Sequence, residues 1–208
     1  MSVILLATRN PKKLQELRRH LKGIRARYVT LKNYSQIPPV REDGKSFEEN
    51  AIKKAVLPSR RAPSLVIAED SGLCVNVLQG APGIYSARYA RASNRKQSRD
   101  AANNAKLLRV LQGVPSSHRQ AAFVCVAAVA YRGKLLGVVR GECRGRIAGG
   151  LMGKTGFGYD PLFVPVGQRR TFAQLGAKTK DRMSHRARAL KKLKPLIQKF
   201  LAKHPSSL

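Results

Sequence analysis

The chain opens on an unbroken apolar run, Val3-Ile4-Leu5-Leu6-Ala7, which suits a short strand buried on both faces. A helical pattern follows, with Leu14, Leu17 and Leu21 on one side, Asn10 as N-cap, Pro11 at the first helical position and Gly23 as its stop. Residues 27–31 read as a second strand before the turn-rich stretch 33–39. Ser46 and Glu49 then form a capping box ahead of Phe47, Ala51, Ile52 and Ala55, the buried stripe of a second helix that Pro58 and Pro63 end. Residues 65–68 are again all apolar and read as a buried strand delivering Glu69 and Asp70 at its end; 74–78 reads as a further short strand.

The second half continues in the same way. Residues 80–89 form a Gly/Pro loop carrying aromatics and an arginine, and 91–100 is polar and loop-like. Residues 101–111 are helical and stop at Gly113 and Pro115. The Val- and Ala-rich run 121–131 reads as a central strand, Gly133 as a hairpin turn, and 135–141, extended by 142–147, as the returning strand. A glycine-dense loop spans 149–161, a last strand 162–166 and a brief helical turn 172–175. Ser184-His185-Arg186 caps a final helix whose inward face is Leu190, Leu193, Ile197 and Phe200 or Leu201.

At 208 residues and 43% hydrophobic, the chain can bury a core and fits one domain, 1–208, with room for two lobes and with only its last few residues expected to be disordered. No apolar run is long enough to cross a membrane, and the start reads as a strand instead of a signal peptide. Cys74, Cys125 and Cys143 are odd in number and widely spaced, as expected of reduced thiols in a cytoplasmic protein. The charge changes the picture more: 41 Lys and Arg face 11 Asp and Glu, a formal net charge of +30. Such a surface fits nucleic-acid affinity, retention of anionic substrates or a solubilising coat. No nucleic-acid-binding motif accompanies it, so non-specific RNA or DNA binding is expected as a physical property.

Acids this scarce are informative where they stand. The adjacent pair Glu69-Asp70 at a strand end is suited to hold a divalent cation over a phosphate. The first strand–loop–helix unit offers a helix N-terminus, Thr8 and Lys13 to a phosphate, though an ordinary capped helix with solvated lysines has the same pattern. Asn50 and Lys54 share one helix face and can both point into a site. The loop 149–161 suits close approach of backbone to a ligand, but it is neither a P-loop nor a dinucleotide fingerprint. His185 at a helix start is more often a packing or capping residue than a catalyst.

Six motifs in one order make the chain resemble the inosine triphosphate pyrophosphatase family. They are Thr8-Arg9-Asn10-Pro11-Lys12-Lys13, Ser46-Phe47-Glu48-Glu49-Asn50-Ala51, Ala68-Glu69-Asp70-Ser71-Gly72-Leu73, the loop 80–89, Gly156-Phe157-Gly158-Tyr159-Asp160-Pro161, and Ser184-His185-Arg186. The resemblance implies an α/β fold with an elongated, mixed central sheet flanked by helices, in two lobes with a nucleotide cleft between them, usually as a homodimer. It implies hydrolysis of the non-standard purine nucleotides ITP, dITP and XTP to monophosphate and pyrophosphate with Mg2+, a cleansing of nucleotide pools. Carried over, Thr8, Arg9, Asn10, Pro11, Lys12 and Lys13 bind the triphosphate, with Lys54 as a further phosphate ligand in the catalytic set. Asp70 is the proton acceptor and, with Glu42, the magnesium ligand. Ser71 lies beside the substrate, and Phe157, Gly158, Tyr159, Asp160, Lys180, His185 and Arg186 hold base and sugar. Glu69 is expected to support the site without touching substrate.

The chemistry suits the residues. Water attacking the α-phosphorus expels pyrophosphate, so the site must neutralise a polyanion, hold the ion and orient the water. Preference for a 6-oxo purine needs a donor to O6, from Arg186 or His185. Seven of the 11 acids (Glu42, Asp43, Glu48, Glu49, Glu69, Asp70 and Asp160) lie in or just ahead of the site motifs, so the surface looks stripped of negative charge while the site is spared. The alternative reading is a basic nucleic-acid-binding protein on the same scaffold.

Overall fold

Among the described residues six strands form one sheet: β1 (Val3–Leu6), β2 (Arg27–Thr30), β3 (Leu65–Val75), β4 (Gln120–Tyr131), β5 (Lys134–Ile147) and β6 (Phe163–Pro165), in the order β2-β1-β3-β4-β5-β6. The structure is a computed structural model and describes residues 2–90 and 98–204. β1 runs parallel to both β2 and β3, whereas β5 and β6 are antiparallel, so the sheet is mixed. Among the described residues five α-helices accompany it: α1 (Pro11–His20), α2 (Phe47–Ser59), α3 (Arg99–Val110), α4 (Phe172–Met183) and α5 (His185–Lys203). The α/β architecture is the one expected. The expected loop over 91–100 falls, up to residue 97, outside the described residues, as does the expected disorder of the last few.

Local chemistry accounts for most boundaries. The Asn10 side chain caps α1 by accepting from Lys12 and Lys13 backbone N–H groups, and Ser46 caps α2 through Glu49 N–H. β4 and β5 are joined by Arg132 and Gly133, both at positive φ, the tight turn whose twist matches paired strands. Pro58 is accommodated in the last turn of α2, which ends one residue later.

Two elements are longer than expected. β3 does not stop at residue 68: it continues for 11 residues through Glu69 and Asp70, and the expected strand 74–78 becomes its end plus a single 3-10 turn, Asn76–Leu78. A buried segment must pair its backbone groups, and strand hydrogen bonding satisfies them. The acid pair is therefore mid-strand and not on a strand-end turn. The helical turn expected at 172–175 is the start of α4, which reaches Met183 across a break at Gly176 (φ 76°, ψ 172°). That backbone conformation is open to glycine almost alone, so one residue lets two helical pieces follow each other.

The chain divides into two compact units. The first comprises Met1–Asp70, Cys125–Gly141 and Arg186–Leu208; the second comprises Ser71–Val124 and Glu142–His185. In the first unit, Ile4 and Leu6 of β1, Ile67 of β3 and Val129 of β4 pack with Leu17 and Leu21 of α1 and Leu190, Leu193 and Ile197 of α5. In the second, Phe123, Phe163 and Phe172 stack or tilt together at 4.6–6.2 Å between ring centroids, among Leu73, Leu107, Leu162 and Tyr159.

Candidate active site

Neighbouring residues on a strand point to opposite faces. Glu69 and Asp70 therefore enter different surroundings, although both are buried.

Asp70 meets α2. Its Oδ2 accepts from Asn50 Nδ2 at 3.3 Å, and its Oδ1 lies 3.4 Å from Lys54 Nζ. The same ammonium is 3.2 Å from Glu42 Oε1, so two carboxylates converge on one cation position. The four-residue spacing of Asn50 and Lys54 on α2 brings both to this point. Asn50 Oδ1 also accepts from Gly44 N–H at 2.9 Å, tying down the loop that carries Glu42. A Cβ on Gly44 would stand 2.8 Å from that oxygen, so a residue without a side chain is required for the approach. Arg41, next to Glu42 in sequence, is directed at Asp43 at 3.8 Å. Burial raises the Asp70 carboxyl above its usual range, with Lys54 and Lys13 opposing the shift and Glu42 and Glu69 adding to it. Lys54 goes the other way from what burial alone would dictate: Asp70, Glu42 and Glu69 hold its ammonium above the ordinary lysine value.

Glu69 meets cations from α1 and α5. Its Oε1 lies 2.8 Å from Lys13 Nζ, and its Oε2 accepts from Arg186 Nη2 at 3.2 Å and from the Cys125 thiol at 3.3 Å. Arg186 also pairs with Glu16 through Nη1, and its side chain is 1% exposed. Burial would raise the Glu69 carboxyl, but Arg186, Lys13 and Lys54 together outweigh it and hold the group well below the carboxylate range. Burial and the Glu69 charge push the Cys125 thiol up, so it stays protonated and donates. Arg186, expected at the base, has its guanidinium committed to two carboxylates here.

The loop 8–13 is internally hydrogen bonded. Thr8 N–H donates to Leu6 O, Asn10 N–H to Thr8 Oγ1, and Lys12 and Lys13 N–H to Asn10 Oδ1. These backbone donors already have acceptors. What the loop presents outward is side chains: Arg9 and Lys12 are exposed and Thr8 is half-buried, while Lys13 turns inward to Glu69.

The remaining expected residues lie in the second unit. Asp160 Oδ2 accepts from Phe157 N–H at 2.8 Å and from Lys180 Nζ at 2.6 Å. The Lys180 ammonium sits 4.4 Å from the Phe157 ring centroid, a cation–π contact. A Cβ at Gly156 would run into the Asp160 carboxylate, and its φ of 82° independently favours glycine. Gly158 is fixed on both sides, its N–H donating to Asp100 Oδ2 at 2.8 Å and its carbonyl accepting from Asn104 Nδ2 at 2.9 Å. Tyr159 is a core residue, 3% exposed, with its hydroxyl donating to Ser86 O at 3.0 Å, which leaves Phe157 as the half-buried ring of this turn. His185 stacks on Phe123 at 4.8 Å. Ser71 follows Asp70 on β3 and is partly buried.

Glu16, Asp100 and Asn104 were not singled out from the sequence, and Cys125 was read there only as a reduced thiol. For Glu16 and Asp100 a signal was present: in a chain with 11 acids, two that stand alone in basic helices call for a reason. Asn104 and Cys125 carry no such mark, because their partners are 54 and 56 residues away.

The sequence profile of the Ham1 family matches residues 4–196. The dITP/XTP pyrophosphatase of Desulforamulus reducens is 43% identical over 197 residues, covering 95% of this chain and 96% of that protein. The dITP/XTP pyrophosphatase of Geobacter sulfurreducens is 43% identical over 194 residues, with 93% and 96% covered. Among solved structures, a HAM1 protein from Coxiella burnetii superposes with a TM-score of 0.84 at 34% identity, covering 96% of this chain and all of that one. The Staphylococcus aureus Ham1 protein gives 0.82 at 36%, again with 96% and 100% covered. On a profile match across nearly its whole length and on relatives this similar, the chain belongs to the Ham1 family.

Proposed function

We propose that this chain hydrolyses non-standard purine nucleoside triphosphates, ITP, dITP and XTP, to the monophosphate and pyrophosphate, cleansing the cytoplasmic nucleotide pool. The observation that carries the reading is the convergence of Asp70 and Glu42 on one cation position, held by the Lys54 ammonium. The names of the relatives support the substrate class.

The donor set fits magnesium. Asp70 and Glu42 supply hard carboxylate oxygens, and the point they share holds a cationic group, the Lys54 ammonium. When bound, the ion draws charge from the phosphates and acidifies a water. Asp70 accepts the proton of the water that attacks the α-phosphorus, and the bond to the bridging oxygen breaks as pyrophosphate leaves. Lys13 and Lys54 neutralise the triphosphate, and Lys54, held protonated by three carboxylates, remains charged at neutral pH. Thr8, Arg9, Asn10, Pro11 and Lys12 line the phosphate side, with Ser71 beside the substrate. Phe157 offers the ring for stacking, and Gly158, Asp160, Lys180 and His185 complete recognition of base and sugar, while Tyr159 and Arg186 support them from the core. On this reading the protein works as a homodimer, which sedimentation of the purified chain tests.

Pyrophosphate release from ITP, dITP, XTP and ATP should separate the first three from the last. Asp70→Asn should lower turnover by about 10²–10⁴-fold, the usual contribution of a positioned base. Equal turnover of all four nucleotides, or full activity of the variant, would sink the proposal.

A further inference from the structure

In the first unit, α1 with the segment after it and α5 are dense in charge that the hydrolase reading leaves unused. Residues 11–27 hold seven Lys and Arg against the single acid Glu16, and residues 185–203 hold seven against none. Two of the fourteen, Lys13 and Arg186, are turned inward to Glu69, and Glu16 is buried against Arg186. Every other charge on the two segments is therefore a cation. The helices share one core through Leu17, Leu21, Leu190 and Leu193, and Lys194 Nζ donates to Lys22 O at 3.2 Å, which sets their outer sides next to each other. Arg18, Lys22 and Lys191 are exposed there and Lys194 is half-buried.

We propose that this outer face of α1 and α5 is a second binding site, for the phosphodiester backbone of a nucleic acid. A solvated coat needs no more than dispersed charge of one sign, whereas here two adjacent helices present cations without any exposed acid between them. The 19-residue α5 is about 28 Å long, a span of roughly eight phosphates along one strand. An anionic membrane fits less well. The apolar side of α5 is already consumed by the core, and none of the exposed large hydrophobic residues lies on α1 or α5, so nothing is left to insert. The side chains present are cations on helix surfaces, not aromatic platforms or base-reading amides, so the contact is to backbone and independent of sequence.

The test uses the full chain with a labelled 20-base-pair DNA, a 20-nucleotide single-stranded RNA and phosphatidylserine vesicles, across a salt series. Tight, sequence-independent binding of an oligonucleotide is expected. Replacing Arg18, Lys22, Lys191 and Lys194 together by Gln should flatten the slope of log K against log salt by about 3 to 4 and weaken binding more than tenfold. A control variant with Lys154, Arg169, Arg170 and Lys178 changed to Gln should keep both. Binding should persist in Asp70→Asn protein saturated with ITP, and circular dichroism should show both quadruple variants folded. Equal loss in the two variants would mean diffuse charge only. Displacement by ITP would put the oligonucleotide in the phosphate loop, and vesicle binding without oligonucleotide binding would make the face a membrane contact. Each of these three outcomes overturns the proposal, and none of them bears on ITP turnover, which the Gln variants should retain.

Discussion

Glu69 and Asp70 are adjacent in sequence, yet removal of their charges should act in opposite directions. Glu69 is held below its ordinary pKa by Arg186, Lys13 and Lys54, which outweigh its burial. Its contribution to stability is thus fully present above the unfolded carboxylate pKa and is lost as pH falls through the lower folded value. Glu69→Gln leaves Arg186 and Lys13 with one partner fewer and should cost about 3–5 kcal/mol in urea unfolding at pH 7, with the gap to wild type closing below pH 4. Asp70 is raised by burial, so the folded protein binds its proton more readily and gains stability as pH falls towards that value. Asp70→Asn should therefore remove turnover while leaving the thermal midpoint at pH 7 equal to or above wild type. A fall of several degrees would contradict that sign.

At this scale the sequence was legible where scarcity or spacing marked a residue and opaque where distance hid a partner. Asp70, marked by scarcity, Lys54, marked by its helix face, and Glu42, given by the resemblance, do converge, whereas Glu69 turns to other partners. The pairing of Arg186 with Glu16, 170 residues apart, cannot be read from spacing, and it gives Arg186 a buried structural place beside its expected role.

Among elements, the strands and capped helices were readable because local rules decide them: Asn10-Pro11 for α1, Ser46 with Glu49 for α2, Arg132-Gly133 for the hairpin. The failures were extensions. β3 passes through two acids because three cations and a hydrogen-bonded backbone support them, and local pattern knows nothing of either. α4 survives Gly176 because the break is a change of direction at a glycine-only conformation. Gly176→Ala meets no atom within 4 Å, so its penalty is purely conformational, about 1–3 kcal/mol. Differential scanning calorimetry should show that loss, and an unchanged midpoint would mean that α4 can bend elsewhere. Gly156→Ala differs in kind. It adds a collision with the Asp160 carboxylate and should also release Lys180, which is measurable as a faster amine-modification rate.

Across the whole molecule, a net charge of +30 opposes compactness by self-repulsion, and salt screens it. The thermal midpoint should rise between 20 and 300 mM NaCl, in contrast to the fall expected of a protein stabilised mainly by surface ion pairs. Among the described residues the pairs Lys180–Asp160 and Arg186–Glu69 are buried and little screened. A falling midpoint would show that exposed pairs dominate instead.

The first unit is assembled from three separate stretches, and its core needs Leu190, Leu193 and Ile197 from the last of them. A ribosome delivers that stretch at the end. Until it emerges, Leu17, Leu21 and Ile67 have no α5 to cover them, while the second unit, complete by His185, is free to fold first. Chains halted before residue 186 should then be aggregation-prone clients of chaperones, however well the first seventy residues are made.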